Sequence, residues 1–76
     1  MTFGEFVKTR RLEAGFSLRE FCKLAELDPS NWSKIERGLF PATAKRDILE
    51  TIAKIVKLKK GSDHWSTFFD LAYISQ

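Results

Sequence analysis

Residues 17–38 read SLREFCKLAELDPSNWSKIERG, and the punctuation of this run decides the fold. Ser17, with Glu20 three residues on, forms a capping box whose hydroxyl and carboxylate satisfy orphan N–H groups at a helix start. The helix that follows carries Leu18, Phe21, Cys22 and Ala25 on one face and is predicted to end near Ala25 or Glu26. Asp28-Pro29 then opens another helix by the rule of a capping carboxylate followed by an N1 proline. It runs to Arg37 and stops at Gly38. Two short helices joined by so brief a link must cross steeply, as in a helix-turn-helix. Such a crossing needs a small residue at closest approach, which Cys22 supplies, and one apolar side chain in the turn, which Leu27 supplies. Trp32 and Ile35, three apart, give the second helix its inner face. Its outer face is then Ser30, Asn31, Ser33, Lys34 and Arg37, all polar.

Outward from this pair the helical period continues, and no segment alternates at period two over a useful length. Upstream, Phe3, Phe6, Val7 and Leu12 mark the apolar face of a first helix, closed by Gly15 at C′. Downstream, a fourth helix is expected after Thr43, with Ile48, Leu49, Ile52, Ile55 and Val56 inward. Lys57, Lys59 and Lys60 complement its C-terminal dipole, and Gly61 lies past its end. Ser62-Asp63 caps a fifth helix bearing Trp65, Phe68, Phe69, Leu71, Ala72, Tyr73 and Ile74. The fold class is all-α: five short helices in a single domain spanning residues 1–76.

Size and composition restrict what this domain does. With 76 residues, 43% hydrophobic and 30% charged, the chain is an ordinary globular unit rather than a disordered one. A core this small cannot spare the volume for a deep enzymatic pocket. No nucleophile–base–acid set or phosphate-cradling glycine loop is present, so the chain reads as non-enzymatic. One Cys and one His, at unrelated positions, offer no metal site, and no cofactor is expected. Cys22 reads as a small buried hydrophobe, and Trp32 and the phenylalanines as core. The start Met-Thr-Phe-Gly-Glu lacks a secretory signal, no apolar run reaches membrane-spanning length, and the single cysteine suits a reducing, cytoplasmic setting. The formal net charge of +3 invites a nucleic-acid partner.

The run Ser17 to Gly38 resembles the lambda-repressor-like, Cro-type (Xre) helix-turn-helix DNA-binding domains, fitting the family spacing without gaps. The segment from Arg10-Arg11 to Gly15 and the amphipathic fourth helix extend the likeness over about residues 3–60. The resemblance implies a five-helix lambda-repressor-like fold with the helix-turn-helix at its second and third helices. The helix from Pro29 to Arg37 would enter the major groove of double-stranded operator DNA. Ser30, Asn31 and Lys34 are then the expected base contacts, with Ser33 at the edge of that face. Arg10, Ser17, Arg19 and Arg37 would meet phosphates. Arg11 and Glu36 occupy positions where the family builds a structural ion pair between first and third helices.

The chain departs from the family pattern at four places. Leu18 stands where glutamine commonly helps hold a phosphate, and Glu26 where glycine supplies backbone freedom. Pro29 replaces a residue that reads a base in some relatives. The apolar Leu39-Phe40-Pro41-Ala42 follows the reading helix where several relatives carry lysine or arginine. Charge is spread rather than focused: residues 1–38 hold seven Lys/Arg against six Asp/Glu, and residues 39–76 six against four. The densest basic cluster, Lys54, Lys57, Lys59 and Lys60, reads as a solvated helix end.

The fifth helix is apolar around much of its circumference and needs more than one surface to bury it. Residues 62–76 are therefore assigned to dimerisation or partner binding, through Trp65, Phe68, Phe69 and Tyr73. A two-fold dimer would set two reading helices about 34 Å apart, matching a palindromic operator. Ser75-Gln76 ends without a capping glycine or polar tail, which reads as a chain that continues. The functional reading is a sequence-specific, dimeric transcriptional regulator, a repressor of the phage-repressor or antitoxin type. The alternative is a protein-interaction module, such as a toxin-binding antitoxin.

Overall fold

A computed structural model describes residues 1–43 and 45–74 of the chain. Among them are five helices and no strand: α1 (Phe3–Glu13), α2 (Leu18–Ala25), α3 (Pro29–Glu36), α4 (Arg46–Ile55) and α5 (Asp63–Ile74). Ala44, Ser75 and Gln76 lie outside the described residues, and with them the chain end discussed above.

Local chemistry accounts for most of the boundaries. Ser17 and Glu20 close their capping box at the head of α2, and Asp28 caps α3 with Pro29 in its first turn. Thr2 and Glu5 make a second capping box at α1, the same S/T-x-x-E signature in Thr-Phe-Gly-Glu. The Ser62 hydroxyl accepts the Trp65 N–H at the start of α5. The first four helices all end in a left-handed residue with the paired bonds of a Schellman motif. At α1 the Gly15 and Phe16 N–H groups bond Leu12 and Arg11 carbonyls. At α2 the same pair of bonds runs from Glu26 and Leu27 to Lys23 and Cys22. At α3 Gly38 and Leu39 serve, and at α4 Lys57 and Leu58. Glu26 (φ 57°) and Lys57 (φ 61°) thus hold a conformation that favours glycine.

That last motif corrects the expected end of the fourth helix. Lys57, Lys59 and Lys60 are not in its last turn; the helix stops at Ile55, because Leu58 turns back into the core and Lys57 reverses the chain to allow it. The helix also starts later than expected, at Arg46, with no side-chain cap at Lys45. On α1 the inward face differs from expectation too. Leu12 is exposed, and Arg11 takes the buried position instead.

The core is assembled around aromatic side chains. Trp32 packs against Phe21 (centroids 5.3 Å apart) and Phe3 (6.3 Å), and Phe3 against Phe68 (5.4 Å). Cys22, Leu49, Ile52, Ala53, Val56 and Ala72 fill the space between helices, with Leu27 half-buried under the α2–α3 turn. Phe68 and Phe69, assigned above to a dimer or partner face, are instead core residues of the single chain, their rings in edge contact 5.1 Å apart. Their apolar area is already removed from water and is not offered to a partner.

Two contacts fix α1 on α3. Gly4 sits against the backbone of the last turn of α3. A Cβ there would lie 2.7 Å from the Glu36 carbonyl oxygen and closer still to that of Ile35. Two turns further along α1, the buried Arg11 meets the buried Glu36 in a fork: Nε to Oε2 and Nη2 to Oε1, both 2.9 Å. Trp32 Nε1 donates to the same carboxylate at 2.7 Å, and Arg11 Nη1 donates to the Phe16 carbonyl at 2.9 Å. The charges are mutually offset and their donors largely satisfied, which makes burial tolerable.

Three consequences are measurable by urea unfolding. Gly4→Ala should lower stability by about 2 kcal/mol, since overpacking against backbone outweighs the roughly 1 kcal/mol gained in helix propensity. Glu36→Ala, which strands Arg11 and Trp32 donors, should cost about 3–5 kcal/mol. Glu26→Gly should raise stability by about 1 kcal/mol by relieving the left-handed residue; an unchanged midpoint would refute strain at that turn.

Candidate nucleic-acid interface

The site is built from the two polar ends that the helix-turn-helix presents together: the start of α2 and the outward face of α3. On α3, Trp32 and Glu36 point inward and Ile35 is half-buried against the core. That leaves Ser30, Asn31 and Arg37 exposed, with Ser33 and Lys34 half-buried at the margins. The five outer-face residues named from sequence therefore share one surface. The Asp28 carboxylate accepts the Asn31 N–H at 2.9 Å, and the Asp28 carbonyl accepts that of Trp32 at 2.9 Å. Pro29 has no N–H, so Ser30 is left as the first-turn N–H outside the cap. The side chains of Ser30 and Asn31 project at this positive end of the helix dipole.

The electrostatics of this face are sharper than the total charge suggests. Glu36, although on α3, is buried and neutralised by Arg11. On exposed α3 and its cap, Lys34 and Arg37 therefore face one carboxylate, Asp28. Arg37 is steadied along the last turn by Nε donating to the Ser33 carbonyl at 3.4 Å. The Lys34 Nζ lies over the Phe40 ring, 5.2 Å from its centroid.

At the head of α2 the capping box uses the Ser17 N–H (3.0 Å to Glu20 Oε1) and the Glu20 N–H (3.1 Å to Ser17 Oγ). Those bonds hold the Glu20 carboxyl below its ordinary value of 4.5, the backbone N–H of Ser17 contributing most. Glu20 is thus a fixed negative charge beside Ser17. Arg19, exposed in the same first turn, places a cation beside it. The Ser17 hydroxyl accepts from Glu20 and keeps its own proton to donate.

Arg10 does not join this group. It pairs with Glu13 at 3.2 Å and lines a cleft of about 160 Å³ with Ala14, Val56 and Lys57, between the ends of α1 and α4. The cause is helical geometry: Arg11 points at α3, and its neighbour is rotated about 100° away from it. The remaining sequence-named residues sit on α5. Trp65 is half-buried against Phe69, with centroids 5.0 Å apart. Tyr73 is 49% exposed and accepts a hydrogen bond from Arg46 Nη1 at 2.9 Å. The Arg46 guanidinium also lies 4.2 Å from the Phe69 ring centroid. Beyond them Ile74 is 78% exposed.

Sequence reasoning named Phe40 only as part of an apolar loop and missed Gly4 and Arg46. For Phe40 the signal was the apolar pair directly after Gly38; its contact with Lys34 depends on a loop that folds back over the helix. A cleft of about 320 Å³ opens beside this loop, lined by Phe3, Gly4, Ile35, Leu39, Phe40 and Pro41 among others. Among the described residues no group of three metal-ligating side chains occurs, and no helix is long and apolar enough to cross a membrane.

No curated protein and no solved structure matches the chain at a significant level. A family model described as a helix-turn-helix domain does match, over residues 2–62, which takes in α1 to α4 and the whole of the surface just described. The match covers the carboxylate-anchored α3, its polar outer face and the capped start of α2, and the chain belongs to the helix-turn-helix domain family.

Proposed function

We propose that the chain is a sequence-specific DNA-binding transcriptional regulator, acting as a dimeric repressor of the phage-repressor or antitoxin type. The observation that carries this reading is the outward face of α3. It is polar along its length, exposed at Ser30, Asn31 and Arg37, and opposed by the single carboxylate of Asp28. In the major groove an asparagine matches adenine N6 and N7, and a lysine matches guanine O6 and N7. Ser30, Asn31 and Lys34 are assigned to base edges and Ser33 to the rim. Ser17, Arg19 and Arg37 are assigned to phosphates, which set register rather than sequence. Arg10 is left out, because it lies in the α1–α4 cleft.

The dimer reading narrows to the exposed end of α5. Phe68 and Phe69 belong to the core, so a second copy would be met by Ile74, Tyr73 and the half-buried Trp65 and Leu71. A two-fold axis there would present two α3 helices to a palindromic operator.

A gel shift on DNA from the protein's own promoter tests the reading: a specific complex is expected, weakening steeply with salt. No shift at low salt, with folded protein in excess, would overturn it. Lys34→Ala should lose about 1–3 kcal/mol of discrimination at one base pair. Arg19→Ala should instead weaken all sequences alike and reduce the salt slope by about 1. For assembly, sedimentation should show Ile74→Asp as a folded monomer where the parent is a dimer; a monomeric parent refutes the interface.

A further inference from the structure

We infer that Phe40 is a positioning residue for Lys34 and thereby sets how selectively the reading helix discriminates the base pair that Lys34 meets. The inference rests on the reading of α3 as the DNA-contacting helix and goes beyond it by assigning a role to the apolar loop that follows.

The geometry starts at Gly38, whose positive φ of 79° turns the chain back at the end of α3. The Leu39 N–H then bonds the Lys34 carbonyl at 2.8 Å, and the Phe40 N–H points to the same oxygen at 3.4 Å. Phe40 is thereby tethered through its backbone to the residue whose side chain it touches. The residue is 44% exposed, and its ring lies beneath the Lys34 ammonium, its centroid 5.2 Å from the nitrogen. An ammonium over an aromatic face is attracted by the ring quadrupole, and the attraction acts on the side chain's position as much as on stability. A surface lysine otherwise samples many rotamers and loses that freedom on binding.

The position has a consequence for readout. Helical side chains lean toward the N-terminus by default, which would bring Lys34 back over Asn31. Here the ammonium lies over the ring of Phe40, a residue tethered through its backbone to the Lys34 carbonyl. Held on Phe40, the Lys34 ammonium is placed before DNA arrives, so its contact with one base pair is less easily exchanged for another. One side of the ammonium rests on the ring, and its N–H groups on the other side remain free to donate. A basic residue at position 40 would repel Lys34 and could not do this.

The test compares Phe40→Leu, which keeps apolar bulk without a π face, with Phe40→Tyr, which keeps the ring. In the DNA-free protein, the Lys34 side-chain methylene protons should show an upfield ring-current shift. Phe40→Leu should abolish it and Phe40→Tyr restore it, with circular dichroism unchanged in both. In competition gel shifts, Phe40→Leu should lose about two- to five-fold of the preference between the best site and one altered at the Lys34 base pair. Its salt slope should match the parent's, and Phe40→Tyr should recover the preference. A parent that binds DNA and discriminates, beside a Phe40→Leu protein that discriminates equally, overturns this inference alone. A parent that binds no DNA overturns the DNA reading and this inference together. A Lys34 signal indifferent to residue 40 also overturns it, whatever the DNA result.

Discussion

The carboxylate of Glu36 is the point on which the domain turns. It receives three N–H donors, two from the Arg11 fork and one from the Trp32 indole, and both charged side chains are buried. Arg11 in turn holds the Phe16 carbonyl, so one ion pair ties α1, the turn before α2, and α3 into a rigid unit. The constraint matters because α3 is only eight residues long. An isolated helix below about 12–15 residues is marginal in water, so α3 is helical chiefly because tertiary contacts hold it so. The same contacts decide which of its faces is left at the surface. Gly4, pressed on the carbonyls at the end of α3, brings the two helix backbones to a distance no side chain would allow.

A common ending device runs through α1 to α4, and its one exception is informative. Each helix ends with a left-handed residue followed by an apolar one: Phe16, Leu27, Leu39 and Leu58. Such a residue normally packs back on its own helix, which helps offset the conformational cost where the left-handed residue is not glycine. Phe16 and Leu27 are half-buried and Leu58 is buried, but Leu39 is 63% exposed. The motif after α3 therefore does not close its apolar seal. It leaves Leu39 and Phe40 at the surface beside Lys34, where they shape the candidate interface.

At the other end of the molecule, α5 joins the core more completely than its apolar circumference suggested. Phe68, Phe69 and Ala72 are consumed by packing on the other helices. Arg46 closes over Phe69 and reaches the Tyr73 hydroxyl, so a cation and a hydrogen bond cover part of what looked like free aromatic surface. A helix wheel registers which residues are apolar. It does not register how many neighbours the fold supplies to cover them.

Local chemistry by itself determined the five-helix order, the caps at Ser17, Asp28 and Ser62, the stop signals at Gly15 and Gly38, and the split of α3 into an apolar and a polar side. These features are carried by residues within one or two turns of each other, so they are legible in a linear reading. The Arg11–Glu36 pairing, 25 residues apart, was reached through the family likeness rather than from local spacing. What only the tertiary structure decided depends on distant partners. It exposed Leu12, ended α4 at Ile55 so that Leu58 could enter the core, and turned Arg10 away from α3. It also placed Gly4 at a helix crossing, spent Phe68 and Phe69 internally, and set Phe40 under Lys34. In each case the outcome was fixed by which surface another helix or loop happened to cover, and burial and charge pairing belong to the assembled core rather than to any single segment.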